Sequence, residues 1–448
     1  MIEICLHELA KALKGDLCNT DISYINPVGV SIDTREELTN KIFVALKGTR
    51  DAHDFLQVAK EKGAVLAITE RSCDFAHILV RDTYKAIKDF AKFYKEKFDI
   101  PTIGITGSVG KTTTKDLTAS IVSQKYNTVK TAGNFNNEIG LPLTVFRIGK
   151  ETEVVVLEMG MNNFREIHNL AEISKPDIAL ITNIGTAHIE NLGSRENILK
   201  AKSEILDFSP KNVILDGDDI YLKSLSNVVN ADYYYLNKPE EKYTAYNIKP
   251  KGLLGTTATI KLDDTEFIVD IPLPGEYMIK NAMAGAIVGK YLGLSVEQIK
   301  KGIESFEPSQ NRMDIKKGPN GRIIINDTYN ASPQSMKAAI DMITEQDGKK
   351  IAILGDMYEL GEFSQDFHKE IGDYSNISKL YKLITVGTQA KFIHNAALDK
   401  TKTLHFESKK DFFEKFVQND IIHELDNAII LIKASRGMGF EEISQSLL

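Results

Sequence analysis

The chain has 448 residues, of which 42% are hydrophobic and 26% charged, and its formal net charge is −7. This length predicts two to four domains, and the composition is that of an ordinary soluble globular protein. The acidic balance argues against binding to nucleic acid or to an anionic membrane surface, because both partners require a basic surface.

The cysteines and the N-terminus indicate the cellular compartment. Cys5, Cys18 and Cys73 are scattered and have no CxxC spacing, so neither a disulfide framework nor a zinc site is predicted. The first residues include acids and lack a cleavable apolar core, and no apolar run has the length of a membrane span. We therefore expect a cytoplasmic monomer that does not insert into a membrane.

The first segment, residues 1–82, is predicted to be a small α/β domain. Apolar runs predict strands over 42–46, 65–68 and 77–80, with a helix over 55–62. Polar side chains beside these strands form either turns and caps or a binding site. These residues are Ser31, Thr34, Arg35, Lys47, Asp51 and His53.

Residues 100–115, IPTIGITGSVGKTTTK, carry the strongest motif. A short apolar run precedes two glycines, and a helix is expected to begin near Thr112. Successive backbone N–H groups and the positive end of a helix dipole together bind phosphate, a lysine adds mobile charge, and a threonine hydroxyl ligates Mg²⁺. The residues predicted for this role are Gly107, Ser108, Val109, Gly110, Lys111, Thr112 and Thr113. The usual GxxxxGK[ST] pattern has glycine where this chain has Ile105.

The central segment, residues 83–310, is predicted to form a doubly wound parallel sheet. Continuous apolar runs at 154–157, 178–182 and 213–215 indicate buried strands, and 257–262 with 266–271 indicates a hairpin. Ligands bind at the carboxyl ends of such strands, where Asn136, Asn137, Glu158 and His188 are expected. Glu158 is either a loop acid or a Mg²⁺ ligand, and His188 is either a structural imidazole or a second metal ligand.

Lys202 interrupts an apolar helical face. In the helix predicted over 196–208, steps of 100° place it among Ile198, Ile205 and Leu206. A charged lysine at such a position either reaches out to solvent with its head group or is chemically altered.

The last segment, residues 311–448, is predicted to be a Rossmann-like domain. Strands are expected over 323–326, 351–354, 382–386 and 428–432, without the GxGxxG pattern of a dinucleotide site. Asp327 and Asn330 follow the first of these strands. Arg312 lies at the seam with the central domain, where it forms either an interdomain salt bridge or a ligand contact.

Together the motifs resemble those of the Mur ligases. They are [ST]GxxGK[ST] with two further threonines, TAGNFNNE, EMG, AKSE, QNRMD and DTYNASP, and they span most of the chain. The resemblance implies three α/β domains: a UDP-substrate-binding domain, a central ATP-binding domain and a C-terminal Rossmann-like domain. It implies ATP and two Mg²⁺ ions as cofactors, with Thr112, Glu158, His188 and carbamylated Lys202 as metal ligands and Lys111 in catalysis.

The resemblance also assigns the remaining candidates. Arg312 would contact the ATP phosphates, Asn281 the adenine, and Asp327 with Asn330 the ribose. The six polar residues of the first segment would hold the UDP end of the substrate, and Asn136 and Asn137 would also contact substrate.

The implied activity is amide bond formation in peptidoglycan precursor synthesis. ATP would phosphorylate the terminal carboxylate of UDP-N-acetylmuramoyl-tripeptide, and the amine of D-alanyl-D-alanine would attack the acyl phosphate. The alternative is a Mur ligase that adds the third stem residue, diaminopimelate or lysine, but such ligases typically carry GGDRDxxKR where this chain has LGDMYELG. A nucleotide switch without ligase activity is disfavoured, since the nearest match to NKxD, residues 237–240, lacks the aspartate.

Overall fold

The computed structural model describes residues 1–417 and 421–448. Within these residues, three larger sheets follow one another along the chain, each with its own helices, beside a two-stranded ribbon. This confirms the predicted α/β class with three successive units. The predicted boundaries after residues 82 and 310 fall between sheets, and their positions stay a prediction.

The first unit is a small α/β fold. Its strands are β1 (Ile4–Cys5), β2 (Asp16–Cys18), β3 (Tyr24–Ile25), β4 (Gly29–Ser31), β5 (Lys41–Val44), β6 (Leu66–Thr69) and β7 (His77–Leu79), and its helices are α1 (Leu6–Leu13) and α2 (Leu56–Glu61). β4 to β7 pair in parallel, β2 joins β7 antiparallel, and β1 pairs with β3. The elements predicted in this segment are confirmed within one or two residues.

The central unit follows helix α3 (Thr83–Lys95). Its strands are β8 (Thr102–Thr106), β9 (Thr128–Lys130), β10 (Val154–Glu158), β11 (Ile178–Ile181), β12 (Asn212–Asp216), β13 (Asp232–Leu236), β14 (Tyr243–Pro250), β15 (Thr256–Leu262) and β16 (Thr265–Ile271). Its helices are α4 (Lys111–Val122), α5 (Gly140–Val145), α6 (Glu166–Ser174), α7 (Ile189–Leu192), α8 (Arg195–Ser203), α9 (Ile220–Lys223), α10 (Glu276–Tyr291) and α11 (Val296–Glu304).

The order of the central strands produces a crevice at one edge of the sheet, where a ligand can bind. From β9 through β10, β8, β11, β12 and β13 to β14 the neighbours are parallel, and the predicted hairpin of β15 and β16 extends the sheet antiparallel. β8 lies between β10 and β11, so the winding reverses there. A doubly wound sheet has its crevice at the carboxyl end of the strands beside such a reversal.

The helix predicted over 196–208 is shorter in the structure. α8 ends at Ser203, and a 3₁₀ turn, Glu204–Leu206, follows. The Glu204 carboxylate accepts hydrogen bonds from the backbone N–H groups of Arg165 and His168, at the start of α6. These two bonds hold Glu204 against α6 at the point where the α-helix changes to a 3₁₀ turn.

The third unit is built on a six-stranded sheet. Its strands are β17 (Asp314–Lys317), β18 (Ile323–Asn326), β19 (Lys349–Gly355), β20 (Lys382–Val386), β21 (Thr403–Phe406) and β22 (Ala428–Lys433), and its α-helices are α12 (Pro333–Thr344), α13 (Ser364–Gly372), α14 (Ala390–Ala396), α15 (Lys409–Phe412) and α16 (Glu441–Ser446). The order is β17-β18-β22-β19-β20-β21, parallel except for β17. The four strands predicted here are confirmed.

The apolar core explains why the units hold together. One cluster of buried side chains runs through all three units, and each terminal sheet has a second cluster on its other face. Parallel sheets covered on both faces require such continuous apolar strands. Among the described residues, no helix combines the length and apolar character that crossing a membrane requires.

Tyr94 of α3 joins the first unit to the central one. Its ring is fully buried, its hydroxyl donates to the Ile148 carbonyl at 2.7 Å, and the Ile2 backbone N–H donates to it at 3.0 Å. Burial raises the pKa of Tyr94 to about 12, so the hydroxyl stays protonated and remains a donor.

Tyr94→Phe should therefore destabilise the fold by about 1–2 kcal/mol, because the buried Ile148 carbonyl and the partly buried Ile2 N–H lose their partner. Scanning calorimetry should show the first unfolding transition lowered by roughly 2–4 °C. Tyr84→Phe is the matched control, since the Tyr84 hydroxyl bonds the Lys47 carbonyl from an exposed position on the same helix. Equal shifts in the two variants would contradict this role of Tyr94.

Candidate functional site

The loop after β8 curls because two of its residues are glycines with positive φ. Gly107 has φ +149°, and a Cβ at this position would lie 1.9 Å from the Thr182 Oγ1 atom. Gly110 has φ +84° and precedes α4, so the helix begins at Lys111, one residue before the predicted start. Asn183, directly after β11, fixes the loop: its carbonyl accepts from the Ser108 N–H at 3.0 Å and its Oδ1 from the Val109 N–H at 2.9 Å.

Lys111 and Thr112 lie at the N-terminus of α4. The Lys111 Nζ donates to the Gly107 carbonyl at 2.8 Å and to the Ser108 carbonyl at 3.3 Å. Desolvation lowers the pKa of Lys111, and the nearby Glu158 carboxylate opposes that shift. The Thr112 hydroxyl accepts from the Arg312 Nη2 at 2.9 Å. The predicted phosphate loop is thus in contact with the predicted seam residue.

Glu158 is the last residue of β10, beside the loop. Its Oε1 accepts from the Asn136 Nδ2 at 2.7 Å, and its backbone N–H donates to the Thr131 Oγ1 at 3.0 Å. Its Oε2 is buried and has no hydrogen-bond partner within residues 1–417 and 421–448. Asn137 also has a structural role, because its Oδ1 accepts from the backbone N–H of Gly140 at the start of α5.

His188 meets a residue from the third unit. It has φ +63°, and its Nδ1 lies 2.9 Å from the Oε2 of Glu359, which follows β19 and also has positive φ. The His188 ring lowers the pKa of Glu359 below its ordinary value. Non-glycine residues with strained backbones cluster at functional sites, and here two of them face each other.

Lys202 is buried on α8, with 1% of its surface exposed between the fully buried Ile198 and Ile205. Burial holds the pKa of Lys202 well below its ordinary value, and the charge of Lys111 lowers it further. The prediction that this lysine lies in an apolar face is confirmed. Its head group does not reach solvent, so the alternative of an exposed head group is wrong.

The third unit supplies the opposite wall. Asp327 forms an ion pair with the buried Lys433, which also donates to the Asn330 carbonyl at 3.0 Å. The Arg312 guanidinium lies 3.7 Å from the centroid of the Tyr329 ring, and the Arg436 guanidinium lies 5.7 Å from the same centroid. The wall therefore presents two guanidinium groups toward the central unit.

These residues surround one cavity of about 850 Å³ between the central and third units. Fourteen predicted site residues line it: Ser108, Val109, Gly110, Lys111, Thr112, Thr113, Asn136, Asn137, Glu158, His188, Asn281, Arg312, Asp327 and Asn330. Gly107 and Lys202 do not line it. Asn281 is tied to α4, because its Oδ1 accepts from the Thr114 hydroxyl at 3.0 Å.

The six polar residues predicted in the first unit do not line this cavity. Ser31 donates to Glu36 at 2.9 Å, Arg35 pairs with Asp33, and Lys47 pairs with Glu70. His53 is buried, with its Nδ1 2.6 Å from the Asp51 carboxylate, and its Nε2 accepts from the Glu70 backbone N–H. Thr34 is half-buried. Within the described structure the side chains of Lys47, Asp51 and His53 thus have their partners inside the first unit, while the Arg35 side chain is 90% exposed.

Several cavity residues were not predicted as site residues. Asp216 at the end of β12 pairs with Lys280 at 2.9 Å, and burial raises the pKa of Asp216. Glu359 and Arg436 follow strands β19 and β22, which are neighbours in the third sheet. The signal for Asp216, Glu359 and Arg436 was a polar residue at or just after a strand end. Lys280 carried no such signal, because it lies inside α10.

The described residues contain no group of three or more His, Cys, Asp or Glu side chains arranged to hold a metal ion. The oxygen atoms present nevertheless suit Mg²⁺ bound together with a phosphate, which needs only one or two carboxylates. The buried Glu158 Oε2 and Ser108 Oγ atoms both lack partners in the described structure, and both residues line the cavity. A metal and a phosphate would satisfy them.

Comparison with known proteins identifies the family. Residues 105–289 match the Mur ligase middle domain, and residues 311–436 match the Mur ligase, glutamate ligase domain. A UDP-N-acetylmuramoyl-tripeptide--D-alanyl-D-alanine ligase of Bacillus subtilis is 38% identical over 100% of this chain and 99% of its own length. The chain belongs to the Mur ligase family. The ligase of the same name from Escherichia coli is 32% identical over 100% of this chain and 99% of its own length.

Solved Mur ligase structures share the whole architecture. MurF from Acinetobacter baumannii superposes with a TM-score of 0.91 at 29% identity and covers 99% of this chain and 98% of its own. MurF ligase from Thermotoga maritima, solved in complex with ADP, superposes with a TM-score of 0.82 at 29% identity, over 94% of this chain and 96% of its own. The resemblance drawn from the motifs is confirmed at the level of fold and family.

The contact between Gly107 and Thr182 leads to a stability prediction. In Gly107→Ala the new methyl group overlaps the Thr182 hydroxyl and the backbone keeps an unfavourable φ, so the loop must shift at a cost of roughly 3 kcal/mol. Calorimetry should show the first unfolding transition lowered by about 5 °C or more. Gly149→Ala, where nothing lies within 4 Å of the added Cβ, should change it little. A stable Gly107→Ala variant would show that the loop tolerates a side chain.

Proposed function

We propose that the protein joins D-alanyl-D-alanine to UDP-N-acetylmuramoyl-tripeptide, with ATP cleaved to ADP and phosphate through an acyl-phosphate intermediate. The observation that carries this proposal is the convergence of a phosphate loop, the buried Glu158 carboxylate and the Arg312 and Arg436 guanidinium groups on one cavity, in a chain whose full-length relatives bear that ligase's name. The activity belongs to peptidoglycan precursor synthesis. Addition of the third stem residue remains the rival activity, and the names of these relatives disfavour it.

Phosphoryl transfer depends mainly on positioning and neutralisation of charge. Lys111, directly before Thr112 in the chain, and Arg312, which bonds the Thr112 hydroxyl, supply positive charge. The N–H groups at Gly107, Gly110 and Thr113 supply dipoles, while those of Ser108 and Val109 donate to Asn183 and hold the loop in shape. Mg²⁺, when bound, neutralises phosphate charge. Thr112, Glu158, His188 and a carbamate on Lys202 would hold two such ions, and the Glu158 Oε2 atom without a partner supports this donor set.

The wall formed by the third unit suits a zwitterion such as a dipeptide. Glu359 and Arg436 follow neighbouring parallel strands, so a carboxylate and a guanidinium stand at the same sheet edge. A dipeptide carries an ammonium group at one end and a carboxylate at the other. Glu359 would attract the amine toward Lys111 and His188, where the acyl phosphate forms, and Arg436 would bind the far carboxylate.

The remaining candidates bind the ends of the two larger substrates. Asn281 would contact the adenine, and Asp327 with Asn330 the ribose, since all three line the cavity. Asn136 and Asn137 would contact the UDP-linked substrate close to Glu158. The UDP end itself would bind the first unit through Ser31, Thr34, Arg35, Lys47, Asp51 and His53.

We place the protein in the cytoplasm as a monomer. ATP and a UDP-linked precursor are both cytoplasmic metabolites, and the three cysteines are free thiols. All groups assigned to the reaction come from one chain, so a second copy is not required.

The test of this function is ADP release measured with UDP-N-acetylmuramoyl-tripeptide, with and without D-alanyl-D-alanine. Release that requires both substrates, together with a UDP-linked product heavier by the dipeptide, is the expected result. Release that is indifferent to the dipeptide but requires free diaminopimelate or lysine and a UDP-linked dipeptide would point to the rival ligase. Absence of substrate-dependent release would contradict a ligase function.

Lys202 is expected to function as a carbamate. Its depressed pKa makes the neutral amine available, the nitrogen adds to the carbon of CO₂, and the proton lost from nitrogen goes to solvent. The product is an anion that is longer than the lysine, and the charge of Lys111 attracts it. Lys202→Ala should therefore lose activity by about a hundredfold, and acetate or formate should restore part of it, whereas chloride at equal ionic strength should not.

Lys200→Ala is the matched control, because Lys200 is exposed on the same helix and should be dispensable. A direct measurement uses ¹³C-bicarbonate: wild type should show a carbamate carbon resonance that Lys202→Ala lacks. Wild-type turnover of Lys202→Ala in CO₂-depleted buffer, or no carbamate signal in wild type, would refute this modification.

A further inference from the structure

Helix α4 buries an ion pair that the reaction described above does not use. Lys115 and Asp116 expose only 2% and 5% of their side chains, and their charged atoms lie 2.9 Å apart. A buried ion pair costs desolvation energy and gives little net stability unless further bonds satisfy it. Each member of this pair has such bonds, and they lead to different parts of the site.

The Lys115 branch leads to Glu158. The Lys115 Nζ donates to the Thr131 carbonyl at 2.9 Å. Thr131 is fully buried, and its hydroxyl accepts from the Glu158 backbone N–H at 3.0 Å. Lys115 thus fixes Thr131, and Thr131 in turn bonds Glu158 at the end of strand β10.

The Asp116 branch leads to the linker between the central and third units. One Asp116 oxygen accepts from Lys130 at 2.6 Å, and the other accepts from the Ser309 hydroxyl at 2.6 Å. Burial disfavours the charged form of Asp116, but the charge of Lys115 and the bonds from Lys130 and Ser309 prevail and lower its pKa. Ser309 therefore bonds an ionised carboxylate, which makes a stronger hydrogen bond than a neutral acceptor does.

Ser309 is part of the turn that carries Arg312. The Arg312 backbone N–H donates to the Ser309 carbonyl at 3.3 Å, and the Arg312 side chain reaches the Thr112 hydroxyl at 2.9 Å. Residues i, i+3 and i+4 lie on one helix face, so Thr112, Lys115 and Asp116 face the same side. The linker is consequently tied to one face of α4 at two points, one at the phosphate loop and one a turn further along.

We propose that the Lys115–Asp116 pair is a positioning pair that sets Arg312 against the phosphate loop through Ser309. The pair touches no reacting atom and acts through Arg312, with Ser309 as the connecting residue. It determines where the linker lies on α4, and so how the guanidinium meets the nucleotide phosphates. This inference rests on the proposed ATP site.

The test is a double-mutant cycle read by calorimetric binding of the magnesium complex of a non-hydrolysable ATP analogue. Ser309→Ala should weaken binding roughly tenfold, because a hydrogen bond to a charged group is lost and Arg312 is no longer aligned. In the background of Arg312→Met, Ser309→Ala should change binding less than about twofold, since its effect passes through the missing guanidinium.

Two further variants separate positioning from plain stability. Ser309→Thr keeps the hydroxyl and should bind the analogue like wild type. Ser120→Ala removes another hydroxyl bond of α4, made to the Gly302 carbonyl at 2.7 Å, and should leave binding unchanged. Melting temperatures are recorded for every variant. A purely structural role would lower the melting temperature of Ser309→Ala and leave the binding constant as it was.

Two outcomes would overturn the proposal: binding by Ser309→Ala within twofold of wild type, or the same loss in both backgrounds of the cycle. Failure of the ligase function is a separate result. Wild type that binds the analogue but releases no ADP in response to the dipeptide would refute the proposed reaction, while the cycle would still decide whether Ser309 acts through Arg312.

Discussion

The approach of Gly107 to Thr182 is the constraint on which the site depends. With Thr182 against its backbone, the loop after β8 can turn only where a residue has no Cβ, and Asn183 next to Thr182 then holds the N–H groups of Ser108 and Val109. Because β8 and β11 are adjacent parallel strands, their ends meet at one edge and the two loops lock each other. This geometry fixes where α4 begins, and therefore where Lys111 and Thr112 stand.

Charged side chains are buried at and near the phosphate loop and helix α4. Lys115, Asp116, Glu158 and Lys202 are buried and Lys111 lines the cavity, and isolated charges at such positions would be costly. This energetic cost is reduced in different ways. Lys115 and Asp116 form an ion pair, and Lys111 donates to two carbonyl groups. The pKa of Lys202 is lowered, which favours its neutral form. Glu158 keeps one oxygen without a partner in the described chain. The groups that are left incompletely satisfied are the ones that metal binding and carbamylation would satisfy.

Features encoded locally could be predicted from the sequence. Continuous apolar runs such as 178–182 gave strands at the right places, and the glycines with Lys111 located the phosphate loop, because strand pairing and helix N-termini follow from short-range patterns. Contacts between distant segments could not be predicted. Nothing near His188 indicates that Glu359 will lie 2.9 Å away, and the end of α8 at Ser203 depends on Glu204 bonding a helix 39 residues earlier in the chain. The roles of the six polar residues of the first unit in substrate binding stay a prediction, because the contacts that this structure shows for them do not connect them to the cavity.

The bonds of Lys111 and Arg312 explain how such a site could bind phosphate without a large rearrangement. In this structure both cations already donate to neutral oxygens, the Gly107 and Ser108 carbonyls and the Thr112 hydroxyl. A phosphate oxygen is a charged acceptor, so it adds a Coulomb attraction to the cation that a neutral oxygen does not provide. Replacing the carbonyl and hydroxyl acceptors by phosphate oxygens is therefore favourable, and both cations keep hydrogen-bond acceptors before and after the exchange. Much of the cost of removing water from the two cations has thus already been met in this structure. The helix N-terminus adds to this preference for negative charge. Because Arg312 belongs to the linker and already contacts the phosphate loop, the same exchange would keep the third unit beside that loop.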